Sequence, residues 1–398
     1  MIRLNVLLLA LAAAIPTLSK AQAQTPAIDS GLSEKLSFIR QAKLNAADPS
    51  ADLDAVAAKA VAFLRKTQEE NGGWSTKLSP GVTGIVVTGL IKGGKLSPDD
   101  PMVARGLKYI ENLVNTEAGH IAGNNPRVQL QNYVTSVNVM ALVAAKRDSY
   151  KTILADAAKF LKKLQWDDSE GKGQESDFFG GAGYDSKSRP DLSNTQFFLE
   201  ALKEAGIPKD DPAFKKAMTF VSRCQNLKGE HNDQPWAGKI NDGSFLYSAA
   251  AGGSTKSFDQ PDANGALPGY ASMTYAGIKS LIYCGLTRDD PRLKTAVEWV
   301  RKNYDLNRNP GMPAGREEWG LYYGLHSASK VFQLLGEDEF VDAKGAKHLW
   351  RQDLISVLSK RQKPDGSWTN EKDRWMEGDA NLVTGFALMA LGNARNTK

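Results

Sequence analysis

Apolar positions recur along this chain at two spacings, and the two alternate. Over Asp54 to Gln68 apolar residues return every three or four positions among Asp, Lys, Arg and Gln, the mark of a helix with one buried face. Over Val82 to Ile91 nearly every position is apolar or small, which predicts a helix enclosed on most sides. The alternation continues to the C-terminus. Enclosed helices are predicted at Val134 to Ala144, Thr195 to Ala205, Met273 to Ile282, Tyr322 to Leu335 and Leu382 to Leu391. Each repeat therefore reads as one outer helix followed by one inner helix, about six times, and the fold class is all-α.

The junctions carry their own signature. Lys59-Ala60, Phe63-Leu64, Gln68 and Gly72-Gly73-Trp74 form one instance, and Lys216-Ala217, Phe220-Val221, Gln225 and Gly243-Ser244-Phe245 form another. Val357-Leu358, Gln362 and Gly366-Ser367-Trp368 repeat it, as do Phe160-Leu161, Gln165 and Gly181-Ala182-Gly183-Tyr184. Weaker copies lie at Gly106 to Leu113 and Ala296 to Tyr304. The glycines stop the outer helix and let the chain turn, and the following aromatic is placed to pack back on the helix ends. Asp99-Asp100-Pro101, Asp210-Asp211-Pro212 and Asp289-Asp290-Pro291 each precede an outer helix. Asp before Pro at the first helical position is a start signal. Capping accounts for all three copies at once, ahead of a magnesium-diphosphate role.

The Gln-to-Trp spacing resembles the QW motif of squalene-hopene cyclases and, more widely, of prenyltransferase and squalene-oxidase repeat proteins, over roughly residues 52–392. The resemblance implies an α/α toroid, six hairpins closed into a ring of outer and inner helices. The repeats suffice for one barrel, where squalene-hopene cyclases use two. Three regions are expected: a signal peptide at 1–23, a linker or arm at 24–50, and one toroid at 51–398. In such a ring the inner helices run parallel and their N-termini gather at one mouth. The longest loops, Trp166 to Pro190, Asn226 to Pro268 and Asp305 to Glu318, enter inner helices there, so that mouth is the expected site.

The family's chemistry is only partly represented. Class II terpene cyclases protonate an alkene through a D-x-D-D motif, and the matching stretch is Asp191-Leu192-Ser193-Asn194. The outer Asp is kept, while the proton-donating position is Ser193, whose hydroxyl is far too weak an acid for that step. The Asp-x-Cys zinc spacing of the prenyltransferases is absent, as is the Cys-Gly-x-Gln run of thioester domains, since Cys284-Gly285 continues as Leu286-Thr287. No metal or cofactor is expected. Asp191, Asp379, Glu317 and Asp259 are the candidate acids. Ser193, Asn194, Tyr270, Trp319, Tyr322, Tyr323, His326 and Trp375 are candidate cavity residues, with Glu377 among the rim acids. Aromatic faces and carboxylates around a cavity suit a carbocation, and burial keeps a carboxylic acid neutral. Helix capping by Asp191 and Asp379, and simple packing by His326, explain the same residues without chemistry.

Arg3, the apolar run Val6 to Ile15 and Ala21-Gln22-Ala23 read as a secretory leader with an A-x-A cleavage site, so export to the periplasm or the extracellular space is expected. No second stretch approaches membrane-spanning length. The net charge of +5 falls by two when Arg3 and Lys20 leave with the leader. The remaining charges are interspersed, which disfavours nucleic acid. An isoprenoid or other apolar small molecule, or a protein or envelope partner, remains. The two cysteines, Cys224 and Cys284, suit an exported disulfide or two buried thiols equally.

Overall fold

The computed structural model describes residues 49–124, 130–257 and 262–395. The expected leader, residues 24–48 of the expected arm, and Asp259 lie outside the described residues.

Outer helices α1 (Pro49–Thr67), α3 (Pro101–Glu111), α5 (Lys151–Lys163), α7 (Pro212–Arg223), α9 (Pro291–Lys302) and α11 (Trp350–Arg361) alternate with inner helices α2 (Gly81–Lys92), α4 (Gln131–Ala145), α6 (Leu192–Glu204), α8 (Ala271–Tyr283), α10 (Leu321–Leu335) and α12 (Ala380–Ala394). The inner helices pack in sequence order, and α12 packs back on α2, closing the ring. A two-stranded hairpin pairs Phe340 with His348 between α10 and α11. The observed inner helices match the predicted ones to within a few residues at each end.

The repeat residues form the outer wall. Gln68 donates through Nε2 to Gly72 O and to Met102 O, each at 2.9 Å. Gln165, Gln225 and Gln362 do the same, the last reaching Val56 O at 2.9 Å. One amide thus ties its own turn to the first turn of the neighbouring outer helix, and Gln362 ties the last outer helix to the first. Gly72 has φ +89°, and a Cβ there would meet Arg105 O at 2.6 Å, so this turn admits only glycine. Trp74 and Trp368 are fully buried and donate from Nε1 to Leu64 O and Leu358 O. A threonine one turn into most inner helices receives the junction backbone: Thr83, Thr195, Thr274 and Thr384 accept from the N–H of Trp74, Ala182, Phe245 and Trp368.

The three Asp-Asp-Pro segments are helix starts. Asp100, Asp211 and Asp290 accept from the N–H of Met102, Ala213 and Arg292, with Pro at the first helical position. At the closing seam small residues replace large ones. A Cβ on Gly89 would lie 2.8 Å from Gly385 O and 2.9 Å from Leu388 Cβ. These glycines lower helix propensity and let α2 and α12 approach closely. Cys224 and Cys284 are free, buried thiols, which decides between the two sequence readings. No helix among the described residues is long and apolar enough to cross a membrane.

Candidate functional site

The N-terminal turns of five inner helices enclose a chamber of about 290 Å³. Tyr133 of α4, Phe197 of α6, Tyr323 of α10 and Phe386 of α12 form its aromatic wall, with Met273 and Leu382 between them. Tyr133 meets Phe197 edge-on at 5.2 Å, and Phe197 and Phe386 flank Tyr323 at 6.1 and 6.2 Å. Three entry loops complete the mouth with Tyr184, Tyr247 and the segment Trp375-Met376-Glu377. Trp375 and Met376 both have positive φ, +57° and +67°. Side chains rarely adopt that backbone, and such strain persists where surrounding structure imposes it. Asn370 braces the adjoining Glu377. Its Nδ2 donates to Glu318 O and to Glu377 Oε2, each at 2.7 Å.

Two buried carboxyls adjoin the chamber. Asp191 is 2% exposed and caps α6, accepting from Asn194 N and Asn194 Nδ2 at 2.8 Å each. Burial pushes it up to about 6, against hydrogen bonds from Asn194 and Tyr247. It stands behind Ser193 and Asn194, which line the chamber in front of it. Asn194 Oδ1 is buried with no protein partner among the described residues. Glu377 is 1% exposed and faces the chamber directly. Its Oε1 accepts from Tyr323 N at 2.8 Å. Burial pushes it up to about 7, against donors that include the N–H groups of Tyr323, Tyr322 and Leu321 and the Asn370 amide. Glu377 therefore caps α10 from another loop. The residue at the α10 start is Gly320, which has no side chain to do so.

The other sequence candidates fall outside the chamber lining. Asp379 caps α12 through Leu382 N and accepts from Ser75 Oγ at 2.7 Å, so it holds the closing seam. Glu317 lies in the entry loop, where its carbonyl accepts from Asn309 N. Tyr270 is buried at the start of α8, and Tyr322 is buried near Arg361 and Glu318. Trp319 meets Trp375 edge-on at 6.2 Å at the rim. His326 stacks on Phe386 at 5.8 Å. Burial, with Lys279 second, pulls His326 to about 3, so it is neutral at ordinary pH. Ser193, Asn194, Tyr323 and Trp375 do line the chamber.

Below the chamber the inner shaft is filled and charged. Lys279 Nζ and Glu200 Oε2 pair at 2.7 Å with side-chain exposures of 0% and 2%. Burial works to raise the Glu200 carboxyl, but Lys279 and then Lys330 outweigh it and hold it well below its usual range. Tyr283 donates to the other Glu200 oxygen at 3.3 Å. Lys279 was legible as a lone charge in the otherwise uncharged run ASMTYAGIKSLIY. Among the described residues no cluster of His, Cys, Asp and Glu has the makings of a metal site.

No family model matches the chain, and no curated protein matches it in sequence. Solved structures do match. The type II terpene cyclase MstE from Scytonema, in a variant complexed with geranylgeranyl dihydroxybenzoate as substrate, aligns over 87% of this chain and 98% of its own, with TM-score 0.54 and 13% identity. A variant complexed with merosterolic acid A as product gives the same TM-score, identity and coverage. An apo variant aligns with TM-score 0.51 and 15% identity. At such identity the likeness concerns architecture, and by architecture this chain is an all-α toroid of the terpenoid-cyclase type.

Proposed function

We propose that the chain is an exported binding protein that holds an isoprenoid-like apolar molecule in the chamber without cyclising it. The observation that carries this reading is an aromatic chamber that no strong acid among the described residues faces. Ser193 occupies the wall position where the resemblance calls for the proton donor, and Asp191 stands behind it. Protonating an unactivated alkene needs an acid matched to that task. Asp191 is instead engaged by Asn194 and Tyr247. The volume of about 290 Å³ sits at the lower end of the ~300–1,000 Å³ usual for small-molecule sites, which favours a short ligand. The bound molecules of the cyclase MstE, an isoprenoid conjugate and its product, support the ligand class. Export is supported by the N-terminal leader pattern.

Glu377 favours a second reading, an acid-dependent isomerase or cyclase. It faces the chamber, and burial brings it to about 7, a range suited to moving protons near neutrality. Such an acid would act on an activated substrate rather than a plain alkene. Mass spectrometry of small molecules that co-purify from the native cell envelope tests the first reading. A stoichiometric apolar ligand recovered unchanged supports binding. Recovery of cyclised or isomerised product, lost in Glu377→Gln, replaces it with the second.

A further inference from the structure

Between the chamber and the Glu200–Lys279 pair lies a layer of buried polar groups that the ring does not satisfy. His326 sits on α10 one turn below Tyr323, which lines the chamber. It is 1% exposed, and neither ring nitrogen has a hydrogen-bond partner among the described residues. Gln196 sits on α6 one turn below Ser193, another lining residue, and one turn above Glu200. It is fully buried, and neither polar atom of its amide has a partner. Buried amides at the mouth are placed differently. Asn132, Asn226 and Asn309 each donate to a backbone carbonyl, of Gly183, Leu267 and Trp319. Among the described residues, His326 and Gln196 alone have both polar side-chain atoms buried and unpartnered.

An unmade hydrogen bond at a buried group is costly, and the chemistry of the layer defines what would make it good. Burial, with Lys279 second, keeps His326 neutral. A neutral imidazole presents one N–H donor and one bare acceptor nitrogen, and a carboxamide likewise presents both kinds. A hydroxyl is the small uncharged group that donates and accepts at once. An anionic group fits the layer poorly, because the Glu200 carboxylate stands one turn below Gln196. Two rings part the layer from the chamber. Phe386 stacks on His326 at 5.8 Å and meets Tyr323 edge-on at 6.2 Å, and both Phe386 and Tyr323 line the chamber. Ser193 and Ser327 stand beside the Tyr323 hydroxyl, so polar groups run down this side of the partition.

We propose that the ligand is an apolar alcohol bound hydroxyl-first: its O–H passes the Tyr323–Phe386 partition and bonds to His326 and Gln196, while its hydrocarbon fills the aromatic chamber. The proposal rests on the chamber reading above. Titration of the protein with farnesol and with farnesene, a hydrocarbon of the same carbon count, tests it. Farnesol is expected to bind roughly ten-fold more tightly, the worth of one or two buried hydrogen bonds. His326→Phe is expected to remove that preference and keep farnesene binding, whereas Glu377→Gln keeps the preference. Nitrogen-15 spectra of the histidine-labelled native protein give a reading that needs no variant. Farnesol is expected to shift the ring nitrogens of the one histidine that does not titrate near neutrality, and farnesene to leave them in place. Equal affinities for the two lipids, or unmoved His326 nitrogens at saturating farnesol, would overturn the floor site while leaving the chamber reading standing. A preference lost in Glu377→Gln and kept in His326→Phe would move the hydroxyl to the mouth and overturn it as well. Failure of both lipids to bind would remove the chamber reading itself.

Discussion

The two ends of the inner shaft are built from the same ring of helices and do opposite things. At their N-terminal turns the side chains that meet across the axis are aromatic, and they stop short of one another around an open chamber. One or two turns further along, Glu200, Lys279 and Lys330 fill the axis, and a fully buried ion pair closes it. The difference teaches that the ring does not enclose a channel by default. Packed rings fill their own interior as protein cores do, so the space at one end is made by particular residues. Entry loops hold Tyr184, Tyr247 and Trp375 back at the rim, and two positive-φ residues fix that arrangement. An opening kept at one end and plugged at the other fits a site with a single entrance.

Breaking the plug carries the largest expected effect. Glu200→Gln or Lys279→Met leaves one buried charge uncompensated and is expected to cost about 3–5 kcal/mol of stability by urea unfolding, while the double variant recovers most of the loss. If each single variant is as stable as the parent, the Glu200–Lys279 pair does not close the shaft.

The chamber end answers to pH instead. Glu377 and Asp191 are raised in the folded state to about 7 and about 6. Their contribution to stability is therefore fully present below their unfolded values near 4 and is lost as pH rises through their folded values. Relative to Glu377→Gln, the native protein is expected to lose roughly 3 kcal/mol between pH 4 and pH 8. The plug runs the other way, because Glu200 is depressed, so its stabilisation is fully present above about pH 4.5 and is lost progressively as pH falls below that value. Parallel stability curves for the two proteins across that range would contradict the assignment of Glu377.

The seam and the outer wall make smaller differences. Gly89→Ala is expected to cost about 1–3 kcal/mol by overpacking α2 against α12. Gln362→Ala removes two hydrogen bonds that tie the last outer helix to its own turn and to the first, for about 1–3 kcal/mol in thermal unfolding. If Gln362→Ala leaves the melting temperature unchanged, the repeat glutamine is not a tie between neighbours.

The ring was legible in the sequence because its signals are local and repeated. Helix caps at Asp100, Asp211 and Asp290, glycines at the turns, and the contrast between one-faced and all-round apolar helices each recur with the repeat. The chamber was half legible. Ser193, Asn194, Tyr323 and Trp375 lie at or near the start of inner helices, where proximity to the mouth follows from order along the chain. Tyr133, Phe197 and Phe386 were missed because a helix buried on every side does not announce which face meets the axis. Tyr184 and Tyr247 were missed because loop side chains have no periodicity to place them. Asp379 and Glu317 share the acidic character of a site residue, but one closes the seam through Ser75 and the other stays in the entry loop. That distinction is made only by tertiary contacts.

The central claim is that the N-terminal end of the shaft is a ligand chamber, and a chamber-filling variant tests it most directly. Farnesol titrated into the protein is expected to bind saturably with one site per chain. Met273→Trp, which fills the space between the aromatic walls, is expected to abolish that binding while the protein still unfolds cooperatively. Saturable binding that survives in Met273→Trp, or its absence from the native protein, would contradict the account.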